Sequence, residues 1–106
     1  MKNIKVTVLD LNGVKYIDEL HERIRVTFDF GEGYGENWDA FWDSLSMDLV
    51  EELANIEIMG LTKLPAELKA SGEKMIEIMQ ENKEYHEQAN KRLPDNQYHF
   101  DYRIID

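Results

Sequence analysis

Gly31-Glu32-Gly33-Tyr34-Gly35-Glu36-Asn37-Trp38-Asp39-Ala40-Phe41-Trp42-Asp43-Ser44-Leu45 (residues 31–45) is a chain break running directly into a helix start, and the fold reading rests on it. The alternating glycines permit tight turns that other residues resist, so any helix arriving from the N-terminal side must end there. Asn37 is the type of residue that caps a helix, and it predicts a helix running through about Met47. On a wheel of roughly 100° per residue, Trp38, Phe41, Leu45 and Leu49 gather on one side as a buried stripe. Asp39, Asp43 and Ser46 gather on a neighbouring side, with Trp42 between the two. Carboxylates at i and i+4 repel each other and slightly weaken a helix. An acid in the first turn complements the helix dipole, which accounts for Asp39; Asp43 lies too far along to gain from it. The plainer reading, a solvated acidic face, stays open on these residues alone.

Upstream of that stretch, Ile4, Val6 and Val8 alternate with Lys5 and Thr7, and the apolar run ends at Asn12-Gly13, predicting a first strand. Asp18 is placed to cap a helix whose apolar positions Leu20, Ile24 and Phe28 recur every four residues. Downstream, a short strand is predicted over Asn55 to Met59, closed by Gly60. Pro65 would open a short helix through Leu68, and Ser71 would cap a longer one carrying Met75, Met79 and His86 on one side. Leu93-Pro94-Asp95-Asn96 reads as a turn and Tyr98 to Ile105 as the last strand. Helical crossovers between successive strands permit parallel neighbours. The expected fold class is therefore α/β: a small three-stranded parallel sheet with about four helices packed on it, in one domain over residues 1–106.

Composition narrows the function. Twenty-two acidic residues against twelve Lys and Arg give 106 residues a formal charge of −10. Such a field repels nucleic acid and anionic lipid and speeds encounter with a cationic partner. Without cysteine there is no disulfide framework and no thiolate metal site. His21, His86 and His99 lack ligand spacing, so no metal or cofactor is expected. No window approaches the roughly 20 apolar residues of a membrane span, and the N-terminus lacks a signal-peptide run, which makes a cytoplasmic address the default. Phosphate loops, nucleophile elbows and dinucleotide fingerprints are missing; Gly31-x-Gly33-x-Gly35 follows no strand. Asp39 and Asp43 as an acid/base pair for hydrolysis is the one enzymatic alternative, and no substrate cleft accompanies it. Met47, Met59, Met75 and Met79 read as core fillers.

The run from Tyr34 to Leu45 closely resembles the signature of the barstar family, tyrosine-glycine-x-asparagine-x-aspartate-alanine-leucine-tryptophan-aspartate. The similarity extends without a gap back to Asp18-Glu19-Leu20-His21, and Leu11-Asn12-Gly13 matches the family's first-strand end. The resemblance implies a non-catalytic inhibitor that inserts its second helix and adjoining loop into the active site of a guanyl-specific ribonuclease. It implies that Asp39 and Asp43 are the inhibitory aspartates, that Gly35 and Asn37 shape the loop and cap, that Trp42 is the motif tryptophan, and that Glu81 is a further acidic contact. Tyr34 and Ser46 complete the expected partner-binding set, with no catalytic residue, and His21 matches a structural helix position. The implied partner is a basic ribonuclease, without direct nucleic-acid or membrane contact, and the free protein is expected to be a monomer. The chain departs from the pattern where Gly33 replaces an aromatic contact residue, where Trp38 and Phe41 replace smaller apolar residues, and where Asp48 replaces a tryptophan. The stretch after Glu84 is longer than the family's. An acidic binding module of the same fold, directed at a different toxin or protein, is the competing reading.

Overall fold

The first strand, β1 (Lys5–Asp10), forms where expected, but its apolar alternation does not mark the buried side: Leu9 faces the core, while Val6 and Val8 on the opposite side are exposed. It ends where Asp10 accepts hydrogen bonds from the Asn12 backbone and side-chain amides, both at 2.9 Å. In the computed structural model the described residues are 5–48, 53–92 and 99–106. The element order is β1, α1 (Ile17–Thr27), α2 (Trp38–Asp48), β2 (Leu53–Met59), two 3-10 turns at Leu61–Lys63 and Ala66–Leu68, α3 (Lys69–Arg92) and β3 (His99–Ile104). The three strands form one parallel sheet in the order β1-β2-β3, with Leu9 opposite Ile58 and Ile56 opposite Tyr102. The predicted parallel sheet and α/β class therefore stand.

Leu20 and Ile24 of α1, Phe41 and Leu45 of α2, Ile56 and Ile58 of β2, and Met75 and Met79 of α3 all fall below 2 % exposure and form the centre of the core. The four-residue spacing in α1 and the Phe41/Leu45 stripe of α2 thus face inward as predicted. Leu49, predicted to continue that stripe, lies outside the described residues, as do the turn at residues 93–96 and the start of the last strand at Tyr98. Of the methionines expected in the core, Met75 and Met79 are fully buried and Met59 is half-buried.

Three boundaries differ from the sequence expectation. Asp18 is not the cap of α1: the cap position is Tyr16, whose side chain makes no capping bond, and Asp18 lies in the first turn. The acid sits where the dipole favours it, and Glu19 reaches back to the Lys15 backbone amide at 3.3 Å. Ser71 does not cap a separate helix either. The 3-10 turn Ala66–Leu68 passes straight into α3 at Lys69, because Leu68, Gly72 and Met75 bury along one continuous line and leave no reason to break. The expected short helix is therefore a 3-10 lead-in, and the described residues hold three α-helices instead of about four. Gly60 closes β2 with φ +79°, and a Cβ there would lie 2.7 Å from the Asn12 backbone nitrogen, so the two strand ends approach as only glycine permits.

Candidate partner-binding site

Asn37 organises the start of α2. Its Oδ1 accepts the Ala40 backbone amide at 2.8 Å, and its Nδ2 donates to the Gly35 carbonyl at 3.1 Å. One side chain thereby satisfies a helix-end amide and folds the loop back onto the helix. Gly35 leaves the room for this: a Cβ would sit 3.2 Å from Asn37 Nδ2 and 3.4 Å from Ala40 Cβ. Glu36, between them, takes φ +50°, the left-handed conformation that the turn needs.

From this start α2 presents Asp39 and Asp43, both exposed, with Trp38 and Trp42 half-buried beside them. The four line one wall of a groove of about 460 Å³, whose other wall is Lys74, Ile78 and Glu81 of α3. The structure therefore brings Glu81, distant in sequence, into the same groove as the two aspartates, so that three carboxylates and one ammonium line it. Lys74 is only loosely held within the chain, 3.9 Å from Glu77, with both side chains about half exposed. Beyond Glu81, the exposed Tyr85 meets Trp42 edge-on, with ring centroids 6.1 Å apart. Lys74, Ile78 and Tyr85 were not singled out from sequence. Their spacing with Glu81 (i, i+4, i+7, i+11) marks one helical face, but nothing local says which partner that face meets.

Tyr34 and Ser46 are placed differently. Tyr34 is buried, and its hydroxyl shares a 2.8 Å hydrogen bond with Nδ1 of the buried His21. His21 also packs on Trp38, with centroids 4.7 Å apart, so α1 braces the loop and the first turn of α2 together. Burial pushes the His21 pKa down and the Tyr34 pKa up, with the Glu36 carboxylate opposing the first shift and reinforcing the second. Ser46 is turned toward α3, where Asn82 Nδ2 donates to its Oγ at 2.8 Å. Tyr34 and Ser46 thus support the surface from below, while Asp39, Trp42, Asp43 and Glu81 form it.

A second depression, about 340 Å³, lies over the outer face of the sheet, with Val6, Asn55, Glu57, Asp101 and Arg103 in its lining. Its charges are already matched: Arg103 pairs with Glu57, and Lys83 pairs with Asp101 at 3.1 Å. His99, at the same sheet, donates from Nε2 to Asn55 Oδ1 at 2.7 Å. The three histidines are thus dispersed, and among the described residues no group of three or more His, Asp or Glu is arranged to hold a metal. No helix of the described residues is long and apolar enough to cross a membrane. The acidic groove, where three carboxylates outnumber one ammonium, is the candidate site.

The model of one protein family, described as Barstar (barnase inhibitor), matches residues 4–95. The chain belongs to the barstar family. The match spans all of β1, α1, α2, β2 and α3, and so includes both walls of the groove. No curated protein matches the chain. Barstar-family proteins are inhibitors, not enzymes, and the matched residues include both helices that wall the groove.

Proposed function

We propose that this barstar-family protein inhibits a basic ribonuclease, and that Asp39 and Asp43, with Glu81 beside them, occupy the cationic active site of that enzyme. The observation that supports this most is the gathering of Asp39 and Asp43, on a helix whose start is fixed by Asn37, with Glu81 of α3 around two half-buried tryptophans. A ribonuclease holds phosphate with cationic side chains, and a rigid carboxylate can replace phosphate oxygens through charge-assisted hydrogen bonds. Rigidity matters because ordering a mobile loop on binding costs affinity, and the Asn37 cap with the His21–Tyr34 bond orders this one beforehand. The −10 charge of the whole chain would speed encounter with a cationic enzyme. In this reading the protein is a single-domain monomer that performs no chemistry on RNA and acts inside the cell.

Inhibition assays with barnase and a panel of basic guanyl-specific microbial ribonucleases test the reading. We expect stoichiometric loss of RNA cleavage for at least one of them, with no RNA hydrolysis by the chain alone. Failure to inhibit any of them at micromolar concentration, or metal-stimulated RNA hydrolysis abolished by Asp39→Ala, would overturn it.

A further inference from the structure

We infer that Tyr85 extends the inhibitory face along α3 and contacts an apolar side chain bordering the partner's cationic cleft; this rests on the reading above. Tyr85 is 55 % exposed, one turn beyond Glu81 on the same face of α3. Its ring meets Trp42, a wall of the groove, at an interplanar angle of 71°. The edge-on contact holds the ring in a defined position while leaving much of its surface bare. A bare, positioned aromatic at the end of such a groove is the arrangement in which interface anchors occur, since burying its ring against a partner's apolar side chain adds contact that does not depend on charge. Charge complementarity selects the occupant. Asp43 and Glu81 call for cations, so the partner's cationic cleft must sit over the groove, and Tyr85 at its end meets what borders that cleft. Tyr16 is exposed to a similar degree, but it sits at the start of α1 and is not part of either groove wall.

The contact proposed for Tyr85 is apolar, and this separates it from the carboxylates in a measurable way. Salt screens charge pairs but not apolar cover. Tyr85→Ala should melt like the wild type, yet bind the inhibited ribonuclease about tenfold or more weakly, through faster dissociation. The factor should be the same at low and high salt, and Tyr85→Phe should bind like the wild type. Should the alanine variant unfold, Tyr85→Gln, which removes the ring but keeps a helix-favouring side chain, carries the same expectation. Unchanged dissociation with a ribonuclease that the wild type does inhibit would overturn the inference and leave the inhibitor reading intact. A loss that vanishes at high salt would also overturn it, because the effect would then be electrostatic. If the wild type inhibits none of the panel, the reading fails and the inference with it.

Discussion

The outer face of the sheet and the groove between α2 and α3 are built from similar residue types, but they treat charge in opposite ways. On the sheet, Glu57 and Arg103 stand opposite one another in the strand register and pair, as cross-strand neighbours of opposite sign do. In the groove, Asp39 and Asp43 stand one helical turn apart with the same sign, and Glu81 joins them from the other helix. The first arrangement is complete within the chain. The second lowers the stability of the isolated helix slightly and makes physical sense when an outside cation completes it.

If the groove is the uncompleted half of an interface, its frame should matter more than any detail of the sheet. Asn37→Ala removes the cap of α2 and the link back to Gly35. Thermal or denaturant unfolding should show a loss of about 1 kcal/mol, the usual worth of such a cap. Inhibition should weaken further than stability alone explains, because Asp39 sits in the loosened first turn.

The brace under the groove should respond to acid. His21 is buried with a lowered pKa, so the unfolded chain takes up its proton more readily than the folded one. The stability from neutral His21 is fully present above its unfolded value of about 6.5. It is lost as pH falls below that value and through the lower folded one. His86, also depressed by burial, acts in the same direction. The melting temperature should therefore decline from about pH 6.5 downward, and His21→Gln should flatten part of that decline. An identical pH profile for wild type and variant would show that His21 is not a titrating element of the brace.

The smallest effect belongs to the sheet. Arg103 is 70 % exposed, so Arg103→Ala should change stability by no more than about 0.5–1 kcal/mol, as surface pairs usually do. It should leave ribonuclease binding unchanged. A binding loss comparable to that of a groove carboxylate would erase the contrast between the two faces.

Much of this was legible in the sequence, for identifiable reasons. The strand ending at Asn12-Gly13, the four-residue spacing of Leu20 and Ile24, and the Asn37 cap are local signals, and each appears where expected, although Val6 and Val8 turn out on the exposed side of their strand. The wheel of α2 likewise separated Phe41 and Leu45 from Asp39 and Asp43. What was hidden was tertiary. Ser46 lies on the acidic side of the wheel, yet Asn82 draws it toward α3. Tyr34 belongs to the same motif as Asp39, yet it points inward to His21. Lys74, Ile78 and Tyr85 gain meaning only once α3 is laid against α2, which no local pattern could announce. The merging of the expected short helix into α3 is of the same kind, set by how Leu68 and Gly72 pack.

Asp43 distinguishes an inhibitory face from a solvated one, because it gains little from the helix dipole, repels Asp39, and has a role chiefly if a partner neutralises it. The most direct test pairs a melting curve of Asp43→Ala with its calorimetric titration against the inhibited ribonuclease. We expect a melting temperature equal to or slightly above that of the wild type, together with a binding loss of about 2–5 kcal/mol, as when a central charged anchor leaves its partner's cations unpaired. Wild-type affinity in the variant, or a binding loss that appears only because the variant unfolds, would contradict it.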